Sequence, residues 1–514
     1  MNRPGPVGPA TNLSGSLTSS PITESLTSTQ LHIASRHRRK PTDALSAWKL
    51  KNWQRRDSHK NVAVSPKTGT LRQYCRQWRR TCGLVAAAVF CFTGALQATV
   101  LIHEIHYHPA SEDIREEFIE LYNASTGAVS LAGWRLARGV EFVFPNVTIP
   151  AGGFLVVAAD LATFTNLYPA VTNVVGNWSG RLSNSRDTLQ LLNAQAQVVD
   201  QVTYADEGDW AVRLRSPPDR GQRGWTWTSA ADGGGASLEL VQPGLPNEYG
   251  QNWAPSLVPG GTPGRPNSVA QTNVAPLILE VQHWPAVPRS TDAVWITARL
   301  VDESPAAATV TLFWRRDEAA AFETVRMQDD GLHQDGAAGD GRFGARIPPQ
   351  PNDTVVEFYL EATDTGGQKR LWPAPAVETN GVILGPVANA LYQVDDTLYT
   401  GPFPLYKLIL TEAERAQLAY IGSATDGSAW SDAQMNATFL SQDATGLQVR
   451  YLVGVRNRGH GSRNLKPNNY RVNFRSDDPW LGVTALNLNG QYSHLQVLGA
   501  ALALKAGLGG AFSR

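Results

Sequence analysis

The sequence predicts a mostly β chain built from sandwich-like domains, and three observations carry that reading. Between residues 99 and 269, short apolar runs recur at regular spacing (100–105, 117–121, 140–144, 154–158, 188–192, 198–202 and 237–241). Gly, Asn, Asp or Pro clusters part them, which is the punctuation of an all-β sandwich or barrel. Gly (46) and Pro (32) are plentiful and Met (3) is scarce in 514 residues, which favours turn-rich β domains over helical bundles. Cys75, Cys82 and Cys91 all precede Thr99. The β part must therefore be held by core burial, without disulfides, thiol chemistry or cysteine-rich zinc sites. The length implies several domains. A formal net charge of zero gives no global pull toward nucleic acid or anionic membrane, and no nucleic-acid partner is expected.

Residues 1–75 are rich in Ser, Thr, Pro and basic side chains and lack sustained apolar runs. Such a segment buries too little surface to offset its ordering entropy, so a disordered basic tail is expected. Its basic groups, 36–40 and 49–56, read as solvated charge. Residues 76–98 then follow the layout of a secretory signal: Arg76, Arg79 and Arg80, an apolar run over 83–92, and a small-residue end. The apolar core is short for a membrane span. Cleavage is expected after Ala98, giving a secreted, periplasmic or cell-surface protein with no transmembrane span. Because a signal belongs at an N-terminus, residues 1–70 are expected to precede the true start.

Within 99–269 the residues themselves specify local structure. Ile119 and Leu121 share one face of a strand. Gly133 suits a turn feeding a strand with a buried Trp134, and Gly152-Gly153 suits a tight connection. The Gly-, Asp- and Arg-rich stretch 206–235 reads as an inserted surface loop, where binding residues are often carried. In His103-Glu104-Ile105-His106-Tyr107-His108, a strand would put Glu104, His106 and His108 on one face. The helical two-histidine metalloprotease spacing is lacking, and no metal is expected.

Several motifs occur here in a fixed order. They are Ile102-His103-Glu104-Ile105, 117–123, Leu131-Ala132-Gly133-Trp134, Ile149-Pro150-Ala151-Gly152-Gly153, Leu182-Ser183-Asn184 with Asp187, 198–202, Ser237-Leu238-Glu239, and Gly261-Thr262-Pro263-Gly264 with Asn267. Together they resemble the lamin tail domain, an immunoglobulin-like β-sandwich. The resemblance covers 99–269 and implies a binding or structural module rather than a catalyst. Its bacterial members occur mostly on secreted multi-domain proteins, with a protein, polysaccharide or envelope component as the implied partner.

Residues 275–372 show period-two alternation at 294–300, 310–314 and 355–362, the pattern of a second β-sandwich. They resemble fibronectin type III or related immunoglobulin-like modules. The Asp-Gly pairs between 329 and 341 lack the spacing and closing Glu of an EF-hand loop and read as turns. Residues 373–388 read as a Pro-, Ala- and Gly-rich linker.

In 389–514, a strand at 405–410 leads to Thr411, which caps a short helix through Glu412 and Glu414. Strands at 448–456 and 469–474 flank Arg458-Gly459-His460-Gly461-Ser462-Arg463, and an apolar helix is expected over 495–508. This resembles the start of a CotH-type protein kinase domain, an incomplete α+β segment. The resemblance implies that Arg458, Gly459 and Ser462 approach nucleotide phosphates and that Lys466 or Arg471 neutralises them. ATP and Mg would be cofactors only of a complete domain. The acidic residues for metal and base work are expected beyond residue 514, as in a gene fragment, so no catalytic residue is assigned. The expected function is an exported multi-domain protein that attaches through its first sandwich. The alternative is the N-terminal part of a secreted CotH-like kinase with the sandwiches as targeting modules.

Overall fold

The computed structural model describes residues 99–506 except 305–307, 398, 402, 444–445, 461–462, 464 and 492. The expected tail, the expected signal segment and Ser462 lie outside the described residues.

The predicted runs of the first block form strands Val100–His106, Phe118–Asn123, Val140–Val143, Phe154–Ala158, Arg186–Leu192, Val198–Ala205 and Leu238–Leu240. One sheet runs Trp253–Pro255, Leu238–Leu240, Val100–His106, Phe118–Asn123, Phe154–Ala158 and Val174–Gly176, with only the last pair parallel. The other runs Val198–Ala205, Arg186–Leu192, Arg135–Ala137, Val140–Val143 and Ser179–Gly180. Between them lies a core that includes Ile102, Ile119, Leu121, Leu136, Leu189, Leu191, Val202 and Tyr204. Ile119 and Leu121 share it, as alternation requires. Trp134, expected to be buried, is half-buried instead. It leaves the Gly133 turn (φ 75°) at the rim and packs against the core without being enclosed.

Alternation alone would leave the second face of the six-stranded sheet in water. It is covered instead. The helix Leu161–Leu167, capped by the Asp160 carboxylate accepting from the Thr163 N–H at 2.8 Å, lays Phe164 edge-on to Phe118 with ring centroids 5.7 Å apart. Farther along, residues 261–269 cross the same face.

Residues 206–235 are not a surface loop, and 373–388 are not only a linker. Val212–Arg215 and Trp225–Thr228 pair as an antiparallel hairpin. Ala376–Val377 joins it in parallel, with Leu214 opposite Val377, and Ile383–Gly385 completes a four-stranded sheet. The buried Arg213 side chain lies over Trp227 at 4.7 Å. It donates to the Leu452 carbonyl at 3.0 Å and to Asn436 Oδ1 at 3.3 Å. The Trp225 indole N–H donates to Glu414 Oε1 at 2.7 Å, and Arg223 pairs with Glu378 at 2.6 Å. Arginines of the expected surface loop are here the polar filling of an interior contact, with the terminal nitrogens of Arg213 held by backbone and side-chain oxygens.

The second sandwich pairs Leu277–Trp284, Val294–Val301 and Arg342–Ile347 in one sheet. The other contains Glu323–Arg326, Thr309–Arg316, Val355–Thr363 and Lys369–Trp372. Ala390–Gln393 also joins the second sheet, so the sandwich extends past the expected edge at 372. The Asp-Gly segment uses its acids as turn acceptors: Asp335 takes the N–H groups of Asp330, Gly331 and His333.

The third part is an antiparallel sheet in chain order, Leu405–Ile409, Met435–Asp443, Gly446–Asn457, Tyr470–Asn473 and Ala485–Leu488. The helix Glu412–Ile421 packs on it through Leu418 and Ile421, and Thr411 Oγ1 accepts from the Glu414 N–H at 3.3 Å as expected. Tyr451 leaves this sheet for the second sandwich. There it meets His283 Nδ1 at 2.5 Å and stands edge-on to Phe358 and Trp372, each at 5.8 Å. The helix Ser493–Lys505 forms and keeps Leu495, Leu498 and Leu502 exposed. Among the described residues, no helix is long and apolar enough to cross a membrane.

Removing the Arg213 guanidinium would orphan the Leu452 carbonyl and Asn436 in a closed interior. Arg213→Ala should cost about 3 kcal/mol, whereas Val143→Ala, at 70% exposure, should cost less than about 0.5 kcal/mol. Urea titrations of both full-length variants followed by circular dichroism check the contrast, and equal midpoints would refute it.

Candidate functional site

Three groups of chemistry-bearing residues stand out, and they differ in access. The first is interior. Glu104 stands opposite Glu239 on one neighbouring strand and Glu120 on the other, so three carboxyls line up across three strands, all fully buried. The 261–269 segment supplies most of their donors, joined by Ser237. The Thr262 N–H (2.8 Å) and Ser237 Oγ (2.5 Å) donate to Glu104 Oε1. Thr262 Oγ1 (2.6 Å), Ser268 Oγ (2.7 Å) and the Val269 N–H (3.1 Å) donate to Glu239. The Gly264 N–H donates to Glu120, whose other oxygen lies 3.1 Å from His103 Nδ1. A Cβ on Gly261 (φ 86°) would stand 2.1 Å from Glu104 Oε1, so both conformation and space demand glycine there.

Burial, and then the neighbouring Glu120, hold the Glu104 carboxyl well above the ordinary carboxylate range. Burial pushes Glu120 up to about 8 and His103 down to about 4. His103 and Glu120 thus meet as a neutral hydrogen-bonded pair rather than as an ion pair. Glu104 and His106 keep the strand alternation, but the three side chains take separate partners: Glu104 accepts from Thr262 and Ser237, His106 stacks on Phe118 at 5.3 Å, and His108 meets Asp232 and Glu112. Among the described residues, no group of three or more His, Cys, Asp or Glu side chains is set to hold a metal ion.

The second group is open. Arg181, Leu182, Ser183, Asn184, Ser185, Asp206 and Asp232 line a groove of about 550 Å³ where loops of the first sandwich meet. Its parts are fixed from beneath. The Leu182 N–H donates to the buried Glu117 at 2.9 Å, and Tyr204 Oη donates to the Ser183 carbonyl at 2.7 Å. Asp232 binds His108 Nδ1 at 2.6 Å, and Glu112 lies 3.1 Å from Nε2 of the same ring. Partial burial opposes charge on His108, but the two carboxylates outweigh it and raise its pKa. Asp206 accepts from Ser476 Oγ at 2.7 Å, tying the groove to the third part. This is a shallow, polar, preorganised surface suited to holding an extended polar chain.

The third group contains the residues expected to meet nucleotide. Arg471 stands opposite Arg456 in the ladder, and Arg458 follows on the next residue of the same face. Arg456 and Arg463 share Asp432 at 2.7 and 2.6 Å. Arg471 Nε donates to Asn473 Oδ1 at 2.7 Å, and Arg458 donates to Asn489. Gly459 has φ 111°. Lys466 turns to Asn468 at 2.7 Å, and Ser462 lies outside the described residues. Burial, set against Asp432 and reinforced by Arg471, Arg463 and Arg458, lowers the Arg456 pKa. The structure therefore brings Arg458 and Arg471 together with two guanidiniums, Arg456 and Arg463, to which the motif reading gave no role. The alternation of Arg456 and Arg458 in the sequence was the available signal.

Residues 94–206 match the lamin tail domain family, and residues 297–369 match the conditioned medium factor second Ig-like domain family. No curated protein matches the chain. Among solved structures, similarities include an uncharacterized protein from Listeria monocytogenes EGD-e in complex with alpha-D-glucose, beta-D-glucose, magnesium and calcium. They also include the cycloalternan-forming enzyme from Listeria monocytogenes in complex with a pentasaccharide substrate. Each is 10% identical and covers 41% of this chain and 20% of its own, with a TM-score of 0.15. A similarity that slight carries no argument.

The carboxyl row makes stability depend on pH with a definite sign. Glu104 and Glu120 bind protons more tightly folded than unfolded, so their contributions are fully present below the ordinary carboxylate value and are lost as pH rises, that of Glu120 through about 8. His103, His106 and His283, lowered to about 4, are neutral in both states above pH 7 and do not interfere. The melting temperature should therefore fall from pH 7 to pH 9. Glu120→Gln, which can still accept from Gly264, should flatten that fall in scanning calorimetry, and an unchanged slope would refute the assignment.

Proposed function

We propose that this chain is an exported bacterial protein that attaches to a protein, polysaccharide or envelope partner through its lamin-tail-like sandwich. The observation that carries this reading is the open groove at 181–185, 206 and 232. It presents polar side chains on a rigid support, and its lining has no nucleophile activated by a base. The lamin tail match over 94–206 supports it, because the groove's 181–185 wall falls within that match. The layout of 76–98 supports export. The test uses the full chain, incubated with envelope fractions from its source cells and sedimented. The wild type should co-sediment. Asn184→Trp, which fills the exposed side of the groove, should weaken retention at least about fivefold with the melting temperature unchanged. Equal retention of the two would refute the reading.

A second reading is favoured by one observation, the crowding of Arg458, Arg463 and Arg471 about Arg456, with the Asp432 carboxylate pairing only Arg456 and Arg463. Under it, Arg458, Gly459, Ser462, Lys466 and Arg471 hold nucleotide phosphates, as the CotH-type resemblance implies, with ATP and Mg serving a complete kinase domain. Guanidiniums bind phosphate oxygens with charge-assisted, often bidentate hydrogen bonds. In calorimetric titration with Mg-ATP, Arg471→Gln should weaken binding at least about tenfold. Absence of binding to the wild type at millimolar ATP would refute this reading.

A further inference from the structure

The second sandwich carries a surface feature that neither reading uses. Trp284, at the end of its strand, is 64% exposed, whereas the adjacent His283 is buried. Trp284 stands directly opposite Trp295, and Trp295 directly opposite Arg346 on the third strand. Cross-strand partners share a face, so two indoles and a guanidinium form a row across the outer surface of this sheet. They line a broad groove of about 430 Å³, with Asp292, Thr291 and Gln334 along its rim. The position of Trp295 is set from the side, because the His333 ring meets it edge-on at 5.8 Å and is itself held by Asp330 at 2.8 Å. Arg346 makes no ion pair or side-chain hydrogen bond to any described residue. Most of the other described tryptophans are buried or half-buried, so leaving this indole in water is a departure from how the chain otherwise places tryptophan.

We propose that this groove binds a pyranose oligosaccharide. A pyranose ring has a C–H face that is apolar and slightly positive, and a rim of hydroxyls that both donate and accept. The faces of aromatic rings carry negative charge density and stack against such C–H surfaces. Trp284 and Trp295 supply two adjacent platforms. The rim supplies an acceptor-only carboxylate (Asp292), a donor-only guanidinium (Arg346) and two groups that do both (Thr291 and Gln334), which matches a hydroxyl rim. An extended peptide added as a strand would run along the edge of Leu277–Trp284, whereas the Trp284, Trp295 and Arg346 row runs across the sheet face. The site lies on a different domain from the attachment groove and stands independently of that reading.

The experiment titrates the full chain with cellohexaose, maltohexaose and chitohexaose by calorimetry. At least one should bind with a Kd below about 1 mM, and Trp284→Ala and Arg346→Ala should each weaken it at least about tenfold. The melting temperature should be unchanged, because both side chains are exposed. The expected selectivity is for the chain whose linkage lays two successive rings on the two indoles. Failure of all three sugars to bind with a Kd below about 1 mM, or equal binding by the Trp284→Ala variant, overturns the proposal. Asn184→Trp should leave this binding intact, which separates it from the first sandwich.

Discussion

The interior position of Arg213 is the constraint from which the arrangement of these domains follows. A guanidinium cannot be dehydrated without replacing its water partners. Here the replacements come from two different parts of the chain: the Trp227 face from its own hairpin, and the Leu452 carbonyl and Asn436 from the third sheet. Burial lowers its pKa to about 10, so it stays charged and retains its full demand for acceptors. The hairpin that carries it is then fixed on several sides, by Glu414 on Trp225, Glu378 on Arg223, and the parallel pairing of Leu214 with Val377. What leaves the first sandwich as an excursion acts as mortar among three domains.

A similar logic closes the first sandwich. The carboxyls of Glu104, Glu120 and Glu239 are buried side by side because the 261–269 segment offers a series of N–H and O–H donors along one sheet face. The Gly-Thr-Pro-Gly turn lets that backbone approach within hydrogen-bonding distance of all three. Burial favours the protonated form of Glu104 and Glu120. They therefore specify which segment covers the face rather than provide reactive groups.

Much of the fold was legible in the sequence because alternation and turn residues are local signals. The strands around Ile119, Leu155, Ile296 and Leu360 form where period two placed them, and Thr411 caps its helix. Burial of polar residues was less legible. Glu120 alternates like a solvent-facing residue, and nothing local announces that a segment some 140 residues later will cover it. Arg213 and Arg215 alternate with Val212 and Leu214 as a half-buried strand would, but charge at the inward position hid the pairing with 376–377. In the third part, the motif pointed to Arg458 and Arg471, and the ladder added Arg456. Asp432 and Arg463 join only through tertiary contact. Both open grooves depend on several distant loops or strands meeting, so no single window of the sequence contains either.

The parallel contact between Leu214 and Val377 also bears on how this gene can be rearranged. Immunoglobulin-like units are commonly exchanged as cassettes, because their boundaries fall in coil and no backbone ladder crosses them. Here a ladder does cross, so excising residues 275–393, or transplanting the first sandwich alone, would strip Val212–Arg215 of its Ala376–Val377 neighbour and expose its backbone edge. An unpaired edge recruits other edges. The three units are therefore coupled through backbone pairing as well as side chains, each shielding an edge of another from self-association.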